Sequence, residues 1–213
     1  MIDFEFVENL SSIDITKYVK CFSNIPDDGS TCSIEILVDI PVDDDSNSLF
    51  DYEQGSPGHT FLQITKSNGS QSVTQNIGFY PANTWKMLLT EPVNSKIVDN
   101  GEHEFNASIK MNITPVQLNN TLNELSNLNS VKYDIDDYNC TDFALTIFND
   151  SRSRNPIEIQ KIQIPGGRSP NGTDTPGALY NQLKIMQLMG IESGNINFPG
   201  TKAYVQASNG PCN

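Results

Sequence analysis

Basic residues are scarce in this chain. Lys and Arg together number 13 against 26 Asp and Glu, which gives a formal net charge of -13 at pH 7. Phosphate backbones and anionic lipid headgroups repel such an acidic chain, so the sequence predicts no nucleic-acid partner and no membrane partner. The charge excess is otherwise typical of a solvated surface.

Long hydrophobic runs are also missing. No stretch approaches the ~20 apolar residues that cross a bilayer. The first residues, Met-Ile-Asp-Phe-Glu-Phe, lack the basic segment and the long apolar segment of a signal peptide. Two localisations stay open: the cytoplasm, or secretion to the periplasm or exterior if a leader was removed.

Cysteines and histidines are few. The four cysteines are Cys21, Cys32, Cys140 and Cys212, and no two have the Cys-x-x-Cys spacing of zinc sites or redox motifs. We therefore predict no metal and no cofactor. Cys21 and Cys32 flank a turn and can pair in an oxidising compartment, and the sequence leaves that disulfide open.

One acidic run lies in the loop 42–57. Asp43, Asp44 and Asp45 are consecutive, whereas an EF-hand loop alternates its oxygen ligands and contains a glycine at the turn. We interpret the run as part of a solvated loop.

The pattern of apolar residues predicts an α+β fold. An antiparallel sheet, with strands at 59–66, 71–80 and 103–113, is expected to pack against a cysteine-bearing helix. The length of 213 residues suits a single domain. Within it we expect a core at 55–150, an N-terminal extension at 1–54 and a C-terminal extension at 151–213.

The first two strands form a hairpin. Asn68-Gly69 suits the positive φ angles of a type I′ turn. Counting back from that turn places His59 opposite Gly78, which would leave open space beside the imidazole.

The cysteine helix begins at Asn139-Cys140-Thr141. Cys140, Phe143 and Ala144 lie at i, i+3 and i+4, so the thiol shares the face that packs on the sheet. Asn139 can cap the helix with its side-chain oxygen, and Asn139 and Thr141 are the candidates for a cap or for binding an oxyanion.

A thiol at a helix N-terminus and a nearby imidazole are the components of a cysteine nucleophile and its base. His59 is the leading candidate for the base, and His103 is the alternative. A third polar group usually orients the imidazole, and Asn76, Gln63 and His103 are the candidates. The simpler interpretation is a buried structural thiol and a strand-end histidine bonded to backbone.

The segments Gly58-His59-Thr60-Phe61-Leu62, Gly78-Phe79-Tyr80-Pro81 and Tyr138-Asn139-Cys140-Thr141-Asp142-Phe143-Ala144 resemble circularly permuted papain-like proteins. That group includes NlpC-type peptidases and lecithin:retinol acyltransferase-like enzymes. The resemblance implies a permuted papain-like fold, with Cys140 as nucleophile and His59 as base. Asn76, on the strand after His59, is the candidate for the third catalytic residue.

The resemblance implies a thiol hydrolase, an amidase or peptidase, that acts on a peptide or amide substrate through an acyl-enzyme. Cell-wall peptides are one substrate class by analogy. Two alternatives stay open: an acyltransferase, and a non-catalytic binding protein with a vestigial site. The sequence does not give the oligomeric state.

Overall fold

The structure, a computed structural model, describes residues 10–84, 91–152, 154–164 and 166–210. Across these ranges the chain has an α+β fold in which a six-stranded antiparallel sheet packs against four α-helices. The predicted fold class is confirmed at this level. None of the described helices combines the length and the apolar character that a bilayer crossing demands.

The elements follow one another along the chain. The strands are β1 (Thr31–Asp39), β2 (His59–Asn68), β3 (Gln71–Pro81), β4 (Ser95–Asp99), β5 (Glu104–Phe105), β6 (Ala107–Ile113), β7 (Ile196–Asn197) and β8 (Ala203–Tyr204). The α-helices are α1 (Ile15–Phe22), α2 (Pro115–Asn127), α3 (Cys140–Arg152) and α4 (Pro176–Leu188), with 3₁₀ turns at Leu128–Ser130 and Ser193–Asn195. The main sheet has the order β4-β3-β2-β1-β6-β7, and β5 pairs with β8 separately.

Local sequence explains where the helices begin. Thr114 caps α2, Gln117 completes a capping box, and Pro115 occupies the first turn, where its missing N–H costs no hydrogen bond. Asp14 and Thr175 cap α1 and α4 with their side-chain oxygens. Polar side chains that accept from free N–H groups therefore fix these three helix starts, and Asn139 caps α3 in the same way.

The main sheet buries its two faces differently. On one face, strand residues such as Ile36 and Leu62 pack with Phe143 and Ile147 of α3 in a core to which all four helices contribute. The other face carries a small cluster of four residues, which are Leu37, Phe61, Phe105 and Val205. Alternate residues of β2 thus point either to the helices or to the β5–β8 sheet.

The predicted hairpin register is wrong by two residues. Asn68 pairs with Gln71, so Gly69 and Ser70 form the turn, and Phe61 rather than His59 pairs with Gly78. Gly69 adopts φ +57°, a conformation that its missing Cβ allows. A shift of two residues keeps each side chain on its predicted face, because the strand period is two.

The predicted strand 103–113 is divided. His103 precedes the short β5, and β6 begins only at Ala107. Between them Asn106 leaves the ladder, because its Oδ1 accepts from the Ile40 N–H at 2.9 Å and its own N–H donates to the Val38 carbonyl. The alternation of apolar residues predicted one strand, whereas this segment forms two strands that belong to different sheets.

The disulfide that the sequence left open between Cys21 and Cys32 does not form. Cys21 is disulfide-bonded, whereas Cys32 and Cys140 carry free thiols. Cys32 begins the apolar pattern of β1, and its side chain is buried in the main core.

Candidate functional site

A cavity of about 360 Å³ opens where three neighbouring strands end. Its wall contains the end of β1, the start of β2 and the end of β3, together with Cys140 and His103. His59 and Cys140 therefore border one cavity, although they are far apart in sequence.

The N-terminus of α3 is held by its own cap. Asn139 Oδ1 accepts from the Thr141 N–H at 2.8 Å, and the Asn139 N–H donates to Asp142 Oδ2 at 3.0 Å. Asn139 Nδ2 in turn donates to the Asp174 carbonyl at 2.9 Å. The C-terminal segment thus fixes the residue that precedes Cys140, although none of the described residues after Cys140 lines the cavity.

This cap limits which N–H groups can bind an oxyanion. The Thr141 N–H is already bonded to Asn139, and the buried Thr141 hydroxyl lies 3.1 Å from Thr60 Oγ1. The Cys140 N–H instead faces the phenol of Tyr133, which also contacts the thiol and borders the cavity. The Cys140 N–H and the Tyr133 hydroxyl are therefore candidate donors beside the thiol, and Tyr133 is a site residue that sequence reasoning missed.

The thiol of Cys140 is buried and uncharged at rest. Only 6% of the residue is exposed, and burial raises the pKa of the thiol above its usual value. The Thr60 N–H and the Thr141 hydroxyl oppose this shift by donating toward the sulfur. A helix N-terminus alone therefore does not make Cys140 a thiolate here.

Gly58 sets the position of His59. It has φ +75°, and a Cβ added to it would lie 2.6 Å from the Asp39 carbonyl oxygen. Only glycine accepts both the left-handed conformation and the close approach. The chain thus enters β2 tight against β1, and His59 pairs with Asp39 as the first residue of the strand.

The imidazole of His59 lies among aromatic rings. Its ring centroid is 4.2 Å from that of Tyr80, 5.4 Å from that of His103 and 5.8 Å from that of Phe61. Burial lowers the pKa of His59 well below its usual value, and the neighbouring His103 adds to this. The ring is therefore neutral near pH 7, and no hydrogen-bond partner reaches its Nε2.

Asn100 occupies the space that the sequence predicted to be open beside Gly78. A Cβ on Gly78 would lie 1.7 Å from Asn100 Oδ1, and Asn100 Nδ2 donates to the Tyr80 hydroxyl at 2.7 Å. The Asn100 side chain also lies beside the His59 ring and raises its pKa, against the effect of burial. His59 Nε2 and Asn100 Oδ1 are both buried, and neither has a hydrogen-bond partner of good geometry.

The three predicted orienting residues do not all reach the imidazole. Asn76 is fully buried outside the cavity wall, where it bonds Gln63, the Gln206 carbonyl and Ser208. Of the three, only His103 borders the cavity near His59. Asn100 is the better-placed polar group. In the sequence it is recognisable only as the first residue of an Asn100-Gly101 turn signal.

The thiol and the imidazole approach the cavity from opposite faces of the sheet. Thr60 points toward α3 and contacts Thr141, whereas His59 stacks with Phe61 on the face of the small cluster. The Thr60 N–H, one peptide bond from His59, reaches the Cys140 sulfur. The thiol and the imidazole therefore lie on opposite sides of β2, and both are near the first residues of that strand.

Comparison with protein-family models, with curated proteins and with solved structures finds no match to this chain. In the part of the chain that the structure describes, no three or more His, Cys, Asp or Glu side chains are arranged to hold a metal ion. The arguments for function accordingly depend on the cavity and on the chemistry of its wall.

Proposed function

We propose that this protein is a thiol hydrolase of amide or peptide bonds, with Cys140 as nucleophile and His59 as base. The observation that carries the proposal is that a free thiol at the start of a helix and an imidazole with an unpartnered Nε2 border the same cavity. The resemblance to permuted papain-like proteins gives the same two residues.

Because both groups are neutral at rest, His59 acts as a general base during attack rather than as half of a preformed ion pair. The Sγ–H proton moves to His59 Nε2 as the sulfur bonds to the substrate carbonyl carbon. His59 then protonates the leaving nitrogen as the C–N bond breaks. Water then attacks the thioester carbon while its proton passes to His59. The C–S bond breaks, the carboxylic acid leaves, and His59 returns the proton to the sulfur.

The other described groups of the site have supporting roles in this scheme. The Cys140 N–H and the Tyr133 hydroxyl donate to the oxyanion of the tetrahedral intermediate. Asn100 and Tyr80 hold the imidazole from the side and from its face. An acyltransferase would use the same first half-reaction and differ only in the acceptor that takes the acyl group.

A binding protein with a vestigial site is the second candidate. It is favoured by the raised pKa of the buried thiol and by the approach of thiol and imidazole from opposite faces. In that case the cavity holds a ligand without turning it over.

Thiol reactivity distinguishes the two candidates. Cys32 is a matched internal control, because it is also a free, buried thiol but lies outside the cavity wall. A hydrolase requires Cys140 to be alkylated near pH 7 faster than Cys32, with a rate that falls in His59→Ala while that of Cys32 stays constant. If Cys140 reacts no faster than Cys32, or if His59→Ala changes nothing, the hydrolase proposal fails and the binding protein stands.

A further inference from the structure

One side of the cavity is acidic. Asp39, Asp43 and Glu104 line it, and no Lys or Arg stands among the described lining residues. Lys202 approaches from outside the wall, with its Nζ 2.6 Å from Glu104 Oε2 and 3.6 Å from Asp43 Oδ2. The run at 43–45, interpreted from sequence as solvated, thus places one carboxylate at the cavity.

Asp39 differs from the other two carboxylates because nothing in the described chain pairs with it. The residue is 9% exposed, and its side chain forms no hydrogen bond or ion pair with a described residue. Burial raises its pKa to about 8, Glu104 and Asp43 add to the shift, and Lys202 opposes it in part. Buried polar groups are normally satisfied, so an unpaired carboxyl on a cavity wall indicates a group that binds there.

The residue paired with Asp39 on the neighbouring strand also has an atom without a hydrogen-bond partner. His59 is its paired residue across β1 and β2, so the two side chains are neighbours on the same face of the sheet. His59 is 6% exposed, and its Nε2 has no partner. The neutral imidazole adds a potential acceptor to the acceptors of the Asp39 carboxylate.

We propose that the cavity binds a positively charged nitrogen of its ligand, a primary ammonium or a guanidinium, against the side chain of Asp39. The carboxyl of Asp39 releases its proton as the cation binds, so that a carboxylate faces the bound nitrogen. An ammonium offers three donors and a positive charge, which suits two neighbouring acceptors on an acidic wall. An anion would instead meet the acidic side chains of Asp39, Asp43 and Glu104. Lys202 forms ion pairs with Glu104 and Asp43, whereas it acts on Asp39 only at longer range and without an ion pair.

As a statement about substrates, the inference rests on the proposed function: the amide that Cys140 attacks would carry a basic side chain or a free amine. As a statement about binding, it is measured without catalysis. Cys140→Ala should therefore bind the cation as the wild type does, whatever the outcome of the hydrolase test.

The test uses three probes of equal chain length, titrated by NMR into the full chain: n-pentylamine, 1-pentanol and pentanoate. The amine should bind more tightly than the alcohol or the carboxylate, and Asp39→Asn should weaken the amine about tenfold or more while leaving the alcohol unchanged. The control is Asp28→Asn, which removes the same charge from an exposed turn beyond the other end of β1 and should change nothing.

A second variant keeps the test decisive if Asp39→Asn does not fold. Lys202→Gln removes the competing cation, so it should strengthen n-pentylamine binding and leave 1-pentanol unchanged. The inference is overturned if the amine and the alcohol bind equally, if pentanoate binds best, or if neither the Asp39 nor the Lys202 variant changes the affinity for the amine.

Discussion

The buried carboxyl of Asp39 predicts how the stability of Asp39→Asn, compared with that of the wild type, depends on pH. Asp39 holds its proton up to about pH 8 in the folded chain, compared with a usual pKa of 3.8. Between these values the native state binds more protons than the unfolded state, so the free energy of unfolding falls as pH rises. Asparagine does not titrate, so this part of the decline in the free energy of unfolding is absent from the variant.

The difference between the two pKa values sets the magnitude. A separation from 3.8 to about 8, at 1.36 kcal/mol for each pKa unit, corresponds to ~6 kcal/mol. Relative to the wild type, Asp39→Asn should therefore gain stability progressively from about pH 4 to about pH 8 and remain level above that. This contribution is fully present in the wild type below 3.8 and is lost as pH approaches 8.

Urea unfolding of both proteins at a series of pH values measures this difference. The titrations of other groups, such as Asp142, whose pKa burial raises to about 7, cancel when the two curves are subtracted. Asp28→Asn provides the control for the loss of one carboxylate from an exposed position. A gap between Asp39→Asn and wild type that does not change with pH would refute the burial argument.

Three substitutions test how the site and the core are held. Gly78→Ala would place a Cβ 1.7 Å from Asn100 Oδ1, so it should cost ~1–3 kcal/mol in urea unfolding and lower the imidazole pKa further, as followed by NMR titration. Gly58→Ala combines φ +75° with a Cβ 2.6 Å from a carbonyl oxygen, and we expect a loss above about 1 kcal/mol in the same assay. Lys66→Met removes a buried ammonium that donates to two backbone carbonyls at the end of α1, at 3.1 and 2.6 Å, and should cost roughly 2–4 kcal/mol by thermal unfolding.

Each of these substitutions has a matched control in the chain. A Cβ on Gly194 or Gly69 would meet nothing within 4 Å, and Gly69 shares the positive φ of Gly58. Gly194→Ala should therefore be neutral, and Gly69→Ala should show the cost of backbone strain alone. Lys110→Met removes an exposed cation and should change little. If a control costs as much as its test variant, the steric or desolvation argument for that variant is wrong.

Sequence patterns predict the structure well where one local rule acts alone. The buried face of α3 depends on spacing within a few residues, and it is as predicted. The pairing of β2 with β3 depends on where a two-residue turn falls in Asn68-Gly69-Ser70, and propensity placed that turn one residue too early. Because of this error the predicted register paired His59 with Gly78, whereas Phe61 pairs with Gly78 in the structure.

The parts of the site that were missed come from distant segments. Asn100 reaches the imidazole because β4 lies beside β3, and Tyr133 reaches Cys140 from the loop before α3. Asp39 ends an apolar strand, where a carboxylate normally signals only the start of a loop. Neither periodicity nor motif spacing reports which side chains meet when the strands assemble, so these three residues became visible only in the folded chain.

Acyl transfer to the thiol tests the central proposal most directly. The full chain is incubated with an amine-bearing activated ester, such as a lysine thioester, and its peptides are analysed by mass spectrometry. We expect an acyl adduct on Cys140 and none on Cys32, and no adduct in Cys140→Ala. A chain that acquires no adduct on Cys140, or that acylates Cys32 as readily, would contradict a catalytic thiol in this cavity.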